Sequence, residues 1–152
     1  MRLFSAALAA ATVGVLLVLA VPATAATNLN DHATFVGVGG ALPGASCGSA
    51  TIGQLGHVAH QCVVFNACGT NCELRTITFD DGSTLVIHES IVSVISPGES
   101  SAAGANAPLF LEITQTVVGG SGRFADATGT GTGQVNLAAN AVITASGTIT
   151  LP

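Results

Sequence analysis

Residues 75 to 87 set the terms on which this chain can fold. Arg75-Thr76-Ile77-Thr78-Phe79 puts Ile77 and Phe79 on one face, Asp80-Asp81-Gly82-Ser83 supplies turn chemistry, and Thr84-Leu85-Val86-Ile87 resumes an extended pattern. A period of two broken by a polar, glycine-bearing turn marks a β-hairpin. The second arm continues from His88 through Ile95 and stops at Ser96-Pro97-Gly98. A polar surface loop follows over residues 96–107, ended by Pro108. Leu109 to Val117 alternates in the same way, with Leu109, Leu111, Ile113 and Val117 on one face and Glu112, Thr114 and Thr116 on the other. That is the pattern of a half-buried strand. A Gly119-Gly120-Ser121-Gly122 turn leads to a glycine-threonine strand, Thr128 to Gln134, and then to the pair Gln134 to Ala138 and Ala141 to Leu151. Upstream, Ala33 to Gly39, Ser49 to Gln54 and Val58 to Asn66 are further strand candidates, giving about seven or eight in all.

Helical patterning is nearly absent after residue 25, so an all-β antiparallel barrel or sandwich is expected. The edges of the sheet argue for closure. Lys+Arg is 3 in 152 residues, and the three are Arg2, Arg75 and Arg123, so no lysine guards an exposed edge strand. A closed barrel of about eight strands removes the edges altogether.

The first 25 residues read differently. Arg2 precedes an apolar run from Leu3 to Val21, then Pro22 and the small-residue triplet Ala23-Thr24-Ala25. This is the layout of a secretory signal peptide, a helix cleaved on export. A permanent anchor is the competing reading, since about 20 apolar residues span a bilayer. Ser5, Thr12, Gly14 and the many alanines dilute the run, and no basic stop-transfer cluster follows. The expected division is therefore 1–25 signal peptide and 26–152 barrel domain, with no stable membrane insertion after cleavage and a secreted, extracellular product. The 127 remaining residues suffice for one domain with a core of its own.

That mature part carries two arginines against eight acids, a net charge of −6. Such a surface offers no basic patch for a phosphate backbone, which excludes nucleic acid as a partner. The absence of lysine excludes Schiff-base chemistry and a phosphate-loop lysine, and the absence of Trp and Tyr excludes a tyrosine acid. Nothing in the sequence indicates oligomerisation.

All four cysteines, Cys47, Cys62, Cys68 and Cys72, lie in the exported part, so two disulfides are expected. Of the three connectivities, Cys47 with Cys62 and Cys68 with Cys72 is favoured, because Gly69-Thr70-Asn71 is a turn that brings the last two sulfurs together. The alternative is a metal site, since His57, His60 and Cys62 fall within six positions. Structural zinc usually pairs two short ligand elements, of which only Cys68-x₃-Cys72 fits, and His57 and His60 are one residue too close. Oxidation also competes for the thiols outside the cytosol. His57 and His60 thus stand only as weak metal candidates, and no cofactor is expected.

The string Val117-Val118-Gly119-Gly120-Ser121-Gly122-Arg123-Phe124-Ala125-Asp126-Ala127-Thr128-Gly129 resembles the hairpin signature of the allene oxide cyclase and dirigent barrel superfamily. The likeness extends to Phe79 to Leu85 and to Ala145-Ser146-Gly147-Thr148-Ile149, and it is nearest to small secreted bacterial members. The resemblance implies an antiparallel barrel and, for function, stereocontrol over a reactive apolar substrate. The functional acids and tyrosines of those families have no matching positions here. Read physically, the glycines permit a tight connection, Phe124 plugs one barrel end, and Arg123 pairs with Asp126 or caps the turn. A phosphate loop is excluded because no G-K-[ST] follows.

Inside a barrel, two polar residues fall in phase with apolar neighbours: Glu89 with Leu85, Ile87 and Ile91, and Gln115 with Leu111, Ile113 and Val117. A desolvated Glu89 would have a raised pKa and serve as an acid or base. The other reading puts Glu89 at the rim, or flips it into water by a bulge, with His88 turned inward instead. Two functions follow. One is a secreted noncatalytic barrel, a stable module or a binder of a small apolar ligand; the other is a cyclase or isomerase, or a dirigent-like guide, working through Glu89 and Gln115.

Overall fold

The computed structural model describes residues 25–39, 45–95, 110–137 and 141–152. The predicted signal peptide, apart from Ala25, and the predicted loop over 96–107 lie outside the described residues. Within them the chain is all-β. Eight strands follow one another: β1 (Ala26–Gly39), β2 (Ala45–Ile52), β3 (Val58–Gly69), β4 (Cys72–Phe79), β5 (Thr84–Ile95), β6 (Phe110–Ser121), β7 (Thr128–Asn136) and β8 (Ala141–Thr150). Each pairs antiparallel with the next and β8 pairs back with β1, closing the barrel. No edge strand is left, which is how a lysine-free sheet of β-branched residues avoids edge-to-edge association. Among the described residues no helix is long and apolar enough to cross a membrane.

The hairpin expected from residues 75–87 is present, with Thr78 opposite Thr84 and Ile77 opposite Leu85. Asp81 stabilises its turn by accepting the Ser83 N–H at 2.9 Å. Elsewhere the strands are longer than alternation alone indicates. β1 starts seven residues before Ala33, at Ala26, because its register with β8 holds from Ala26 opposite Thr150 to Phe35 opposite Ala141. Gly119, Gly120 and Ser121 belong to β6 rather than to a turn; the reversal is made by a single 3-10 turn, Gly122–Phe124. Glycine at 120 is required by close approach, since a Cβ there would sit 1.9 Å from the Thr84 carbonyl oxygen.

The inward side chains form three layers. The lowest is an apolar cluster of Leu29, Ile52, Leu55, Ile77, Phe79, Leu85, Ile87, Val117, Phe124, Ala127 and Ile149. Phe124 is fully buried and its ring stands 4.8 Å from that of Phe79, so it does plug this end of the barrel. Arg123 covers both rings from outside, at 4.8 Å and 4.4 Å from their centroids. Its ion-pair partner is Asp81 at 2.9 Å rather than Asp126, because the 3-10 turn carries Arg123 back over the β4–β5 turn. The uppermost layer is a second apolar cluster built on Ala33, Val63, Ile113, Val135, Ile143 and Ala145. Between the two lies a polar belt.

Both disulfides have the expected connectivity, Cys47–Cys62 across β2 and β3 and Cys68–Cys72 around the β3–β4 turn. Cys47 and Cys62 are direct cross-strand partners. Asn66 and Asn71 take left-handed backbone conformations at φ 56° and 58°, as short polar side chains are able to do, and the Asn71 N–H donates to Asn66 Oδ1 at 3.2 Å. Oxidised pairs of this kind are compatible with an extracellular protein.

Candidate functional site

Five inward side chains from five strands build the belt: Asp31 (β1), Gln61 (β3), Arg75 (β4), Glu89 (β5) and Gln115 (β6), each at most 3% exposed. Arg75 is its centre. Its Nη2 donates to Asp31 Oδ1 at 2.9 Å and its Nη1 to Asp31 Oδ2, a bidentate clasp. Nη1 also donates to Glu89 Oε1 at 3.0 Å and Nε to Gln61 Oε1 at 2.6 Å. The Gln115 amide nitrogen donates to Glu89 Oε1 at 2.7 Å and to Asp31 Oδ2 at 3.1 Å, and the Gln61 amide nitrogen donates to the Ser49 carbonyl. A buried guanidinium is tolerable only with such a partner set, because desolvation alone costs several kcal/mol per ion. Burial pulls the Arg75 pKa down, but attraction by Asp31 and Glu89 outweighs it and leaves the value above ordinary arginine.

The glycine-threonine strand makes room for this layer. β7 turns Thr130 and Thr132 outward and Gly129, Gly131 and Gly133 inward, and Gly131 is the cross-strand partner of Gln115. A Cβ on Gly131 would stand 3.0 Å from Gln115 Oε1. The repeat that reads as low complexity is therefore the space into which the belt side chains project.

Glu89 and Gln115 are thus inward and each 1% exposed, which overturns the rim reading; His88 points to the outer face. Burial raises the Glu89 carboxyl above its ordinary 4.5, and it outweighs the opposing pull of Arg75 and Gln115. Among the described residues two buried side-chain atoms have no hydrogen-bond partner, Glu89 Oε2 and Gln115 Oε1. They belong to cross-strand neighbours.

Above the belt the described residues leave space. A cavity of about 300 Å³ lies among the upper cluster, lined chiefly by Val63, Ile91, Leu111, Ile113, Val135 and Ile143, with Phe65 at 50% exposure. This volume falls at the lower end of small-molecule sites. One ionisable side chain lines it, Glu73 on β4. Glu73 lies directly across from Glu89 in the β4–β5 register. Burial, and then the charge of Glu89, push its carboxyl up to about 7. A wider depression of about 640 Å³ lies over β1, β7 and β8 near His32 and Thr144, but it is shallow and open to water. Enclosure and an apolar wall favour the smaller cavity as the site.

Sequence reasoning nominated Glu89 and Gln115 but missed Asp31, Gln61, Arg75 and Glu73. Arg75 and Glu73 share the phase of Ile77 and Phe79, and that alternation was a usable signal. Asp31 shares the phase of Ala33, but the strand was begun too late to include it. His57 and His60 are exposed on the outside. Among the described residues, one group of three possible metal ligands has its ligand atoms within 4.8 Å of one another: Cys68, Cys72 and His88. Both of its sulfurs are committed to a disulfide. Comparison with family models, curated proteins and solved structures found nothing that matches this chain.

Proposed function

We propose that this chain is a secreted, noncatalytic β-barrel that holds a small apolar ligand in the cavity above its polar belt. The observation that carries the reading is the cavity itself, about 300 Å³ walled by aliphatic side chains inside a closed barrel whose other end is sealed. The belt supports a structural rather than a reacting role. Arg75 is spent on Asp31, Glu89 and Gln61, and neither Glu89 nor Gln115 lines the cavity. Export fits both the signal-peptide layout of residues 1–25 and the two disulfides. The β6–β7 and β4–β5 hairpins and the β8 string that resemble allene oxide cyclases and dirigent proteins belong with this reading as a likeness of barrel, not of chemistry.

The neutral apolar fluorophore N-phenyl-1-naphthylamine tests the reading. Its emission is expected to rise on saturable one-to-one binding and to be lost in Val135→Phe, which fills the cavity. An unsaturable signal, or one that Val135→Phe leaves intact, overturns the assignment. A second reading, a cyclase or isomerase using Glu89 and Gln115, is favoured by the buried, unpartnered Glu89 Oε2 and by the upward shift that burial gives this carboxyl. It requires that turnover of an apolar epoxide or similar reactive substrate be lost in Glu89→Gln; turnover that survives this change excludes it.

A further inference from the structure

The charges that face the barrel interior are unbalanced. Among the described residues they are the carboxyls of Asp31, Glu73 and Glu89 against the single guanidinium of Arg75. Arg75 lies in the belt with a bidentate hold on Asp31 and a third bond to Glu89. Its ion pairs are with Asp31 and Glu89. From β5, Glu73 is faced by another acid, Glu89. From β3, β6, β7 and β8 it is faced across the cavity by Val63, Leu111, Ile113, Val135 and Ile143, none of them charged. Among the described residues the aromatic ring on the cavity wall is Phe65, a residue type whose π-face attracts an ammonium group.

We propose that the ligand is a small organic cation, an alkyl or aryl amine whose hydrocarbon part lies on the aliphatic wall and whose ammonium group meets the Glu73 carboxylate. This rests on the reading of the cavity as a ligand site and names the chemical class it selects. An ammonium supplies both the opposite charge and the hydrogen-bond donors that Glu73 lacks, and charge-assisted bonds of this type are about twice as strong as neutral ones. A carboxylate of the same length meets Glu73 with Glu89 behind it, so like charge rejects it. A neutral alcohol keeps the apolar contact and a single ordinary hydrogen bond.

Acidity then becomes part of selectivity. Glu73 holds its proton to about 7 in the empty barrel, so an amine binding below that pH must displace the proton. Affinity for the amine should weaken by roughly ten- to thirty-fold between pH 8 and pH 5.5, whereas affinity for the alcohol should not fall. The groups able to complicate this profile are Glu89, Arg75 and Asp31, which lie in the belt below.

Calorimetric titration of the full, oxidised protein with octylamine, 1-octanol and octanoate tests the proposal. At pH 8 octylamine should bind about tenfold more tightly than octanol, and octanoate least of the three. Glu73→Gln should bind octanol as before and lose the preference for the amine; the pH dependence in the unaltered protein serves as the second measurement should that variant fold poorly. Equal binding of amine and alcohol, or a preference for octanoate, overturns the cation assignment while leaving the cavity reading in place. Failure of all three, together with failure of the neutral fluorophore, overturns both.

Discussion

The two ends of this barrel are made by the same eight strands and the same alternation, yet among the described residues one is filled and the other holds a cavity. At the lower end the Gly122–Phe124 turn drives a fully buried phenylalanine between Phe79 and the barrel axis, Leu55 closes in from the β2–β3 connection, and Arg123 covers the rings. At the upper end the wall is valine and isoleucine with no plug among the described residues, and the one aromatic, Phe65, is 50% exposed. Alternation makes a tube in both places. Whether the tube is filled depends on what the connections push into it. The polar belt divides the two ends, and Glu73 is the ionisable side chain on the wall of the upper cavity among the described residues.

Removing the charge at the centre should be the most damaging change. Arg75→Met leaves Asp31 buried without its clasp and should cost about 3–5 kcal/mol in denaturant unfolding. A loss below about 1 kcal/mol would mean that the belt does not hold the ends together. Truncating the plug tests the contrast directly. Phe124→Ala should cost about 3–5 kcal/mol, as large buried aromatics do, whereas Phe65→Ala at the open end should stay within about 0.5 kcal/mol. Comparable losses at the two positions would show that the ends are equally packed. Arg123→Ala should cost about 1 kcal/mol, from its ring contacts and its bond to the Leu55 carbonyl rather than from the exposed pair with Asp81.

A smaller effect comes from pH. Glu73 keeps its proton to about 7 in the fold but only to 4.5 when unperturbed, so between those values the folded chain carries the extra proton. Stability should therefore fall as pH rises through that window and level off above it. The buried Glu89 shifts in the same direction. Thermal melts from pH 4.5 to 8 should show the decline, and Glu73→Gln should flatten part of it; an unchanged slope in that variant would place the titrating group in the belt instead.

Much of the barrel was legible because strand patterning is local. The hairpin at Thr78 and Thr84, the half-buried strand from residue 110, the closure forced by an absent lysine and the pairing of the four cysteines all follow from near neighbours. Gly120 of β6 reads as part of a turn because its role is close approach to Thr84 on a strand 36 residues earlier, which no local window contains. The site was legible in part for the same reason. Glu89 and Gln115 announce themselves by sharing a face with Ile87 and Ile113, whereas Asp31 matters only because it meets Arg75, 44 positions away.

The sequence by itself determined which residues share a face, since a strand places every second side chain on the same side whatever it pairs with. It also determined that the sheet needed closing and that the cysteines would pair. Only the tertiary structure decided that the face carrying Glu73, Arg75, Glu89 and Gln115 is the inner one, that one guanidinium answers carboxyls from two other strands, and that among the described residues one end is plugged while the other holds a cavity. Those outcomes depend on closure of the barrel, which joins β8 to β1 and brings into one dry layer groups that are far apart along the chain.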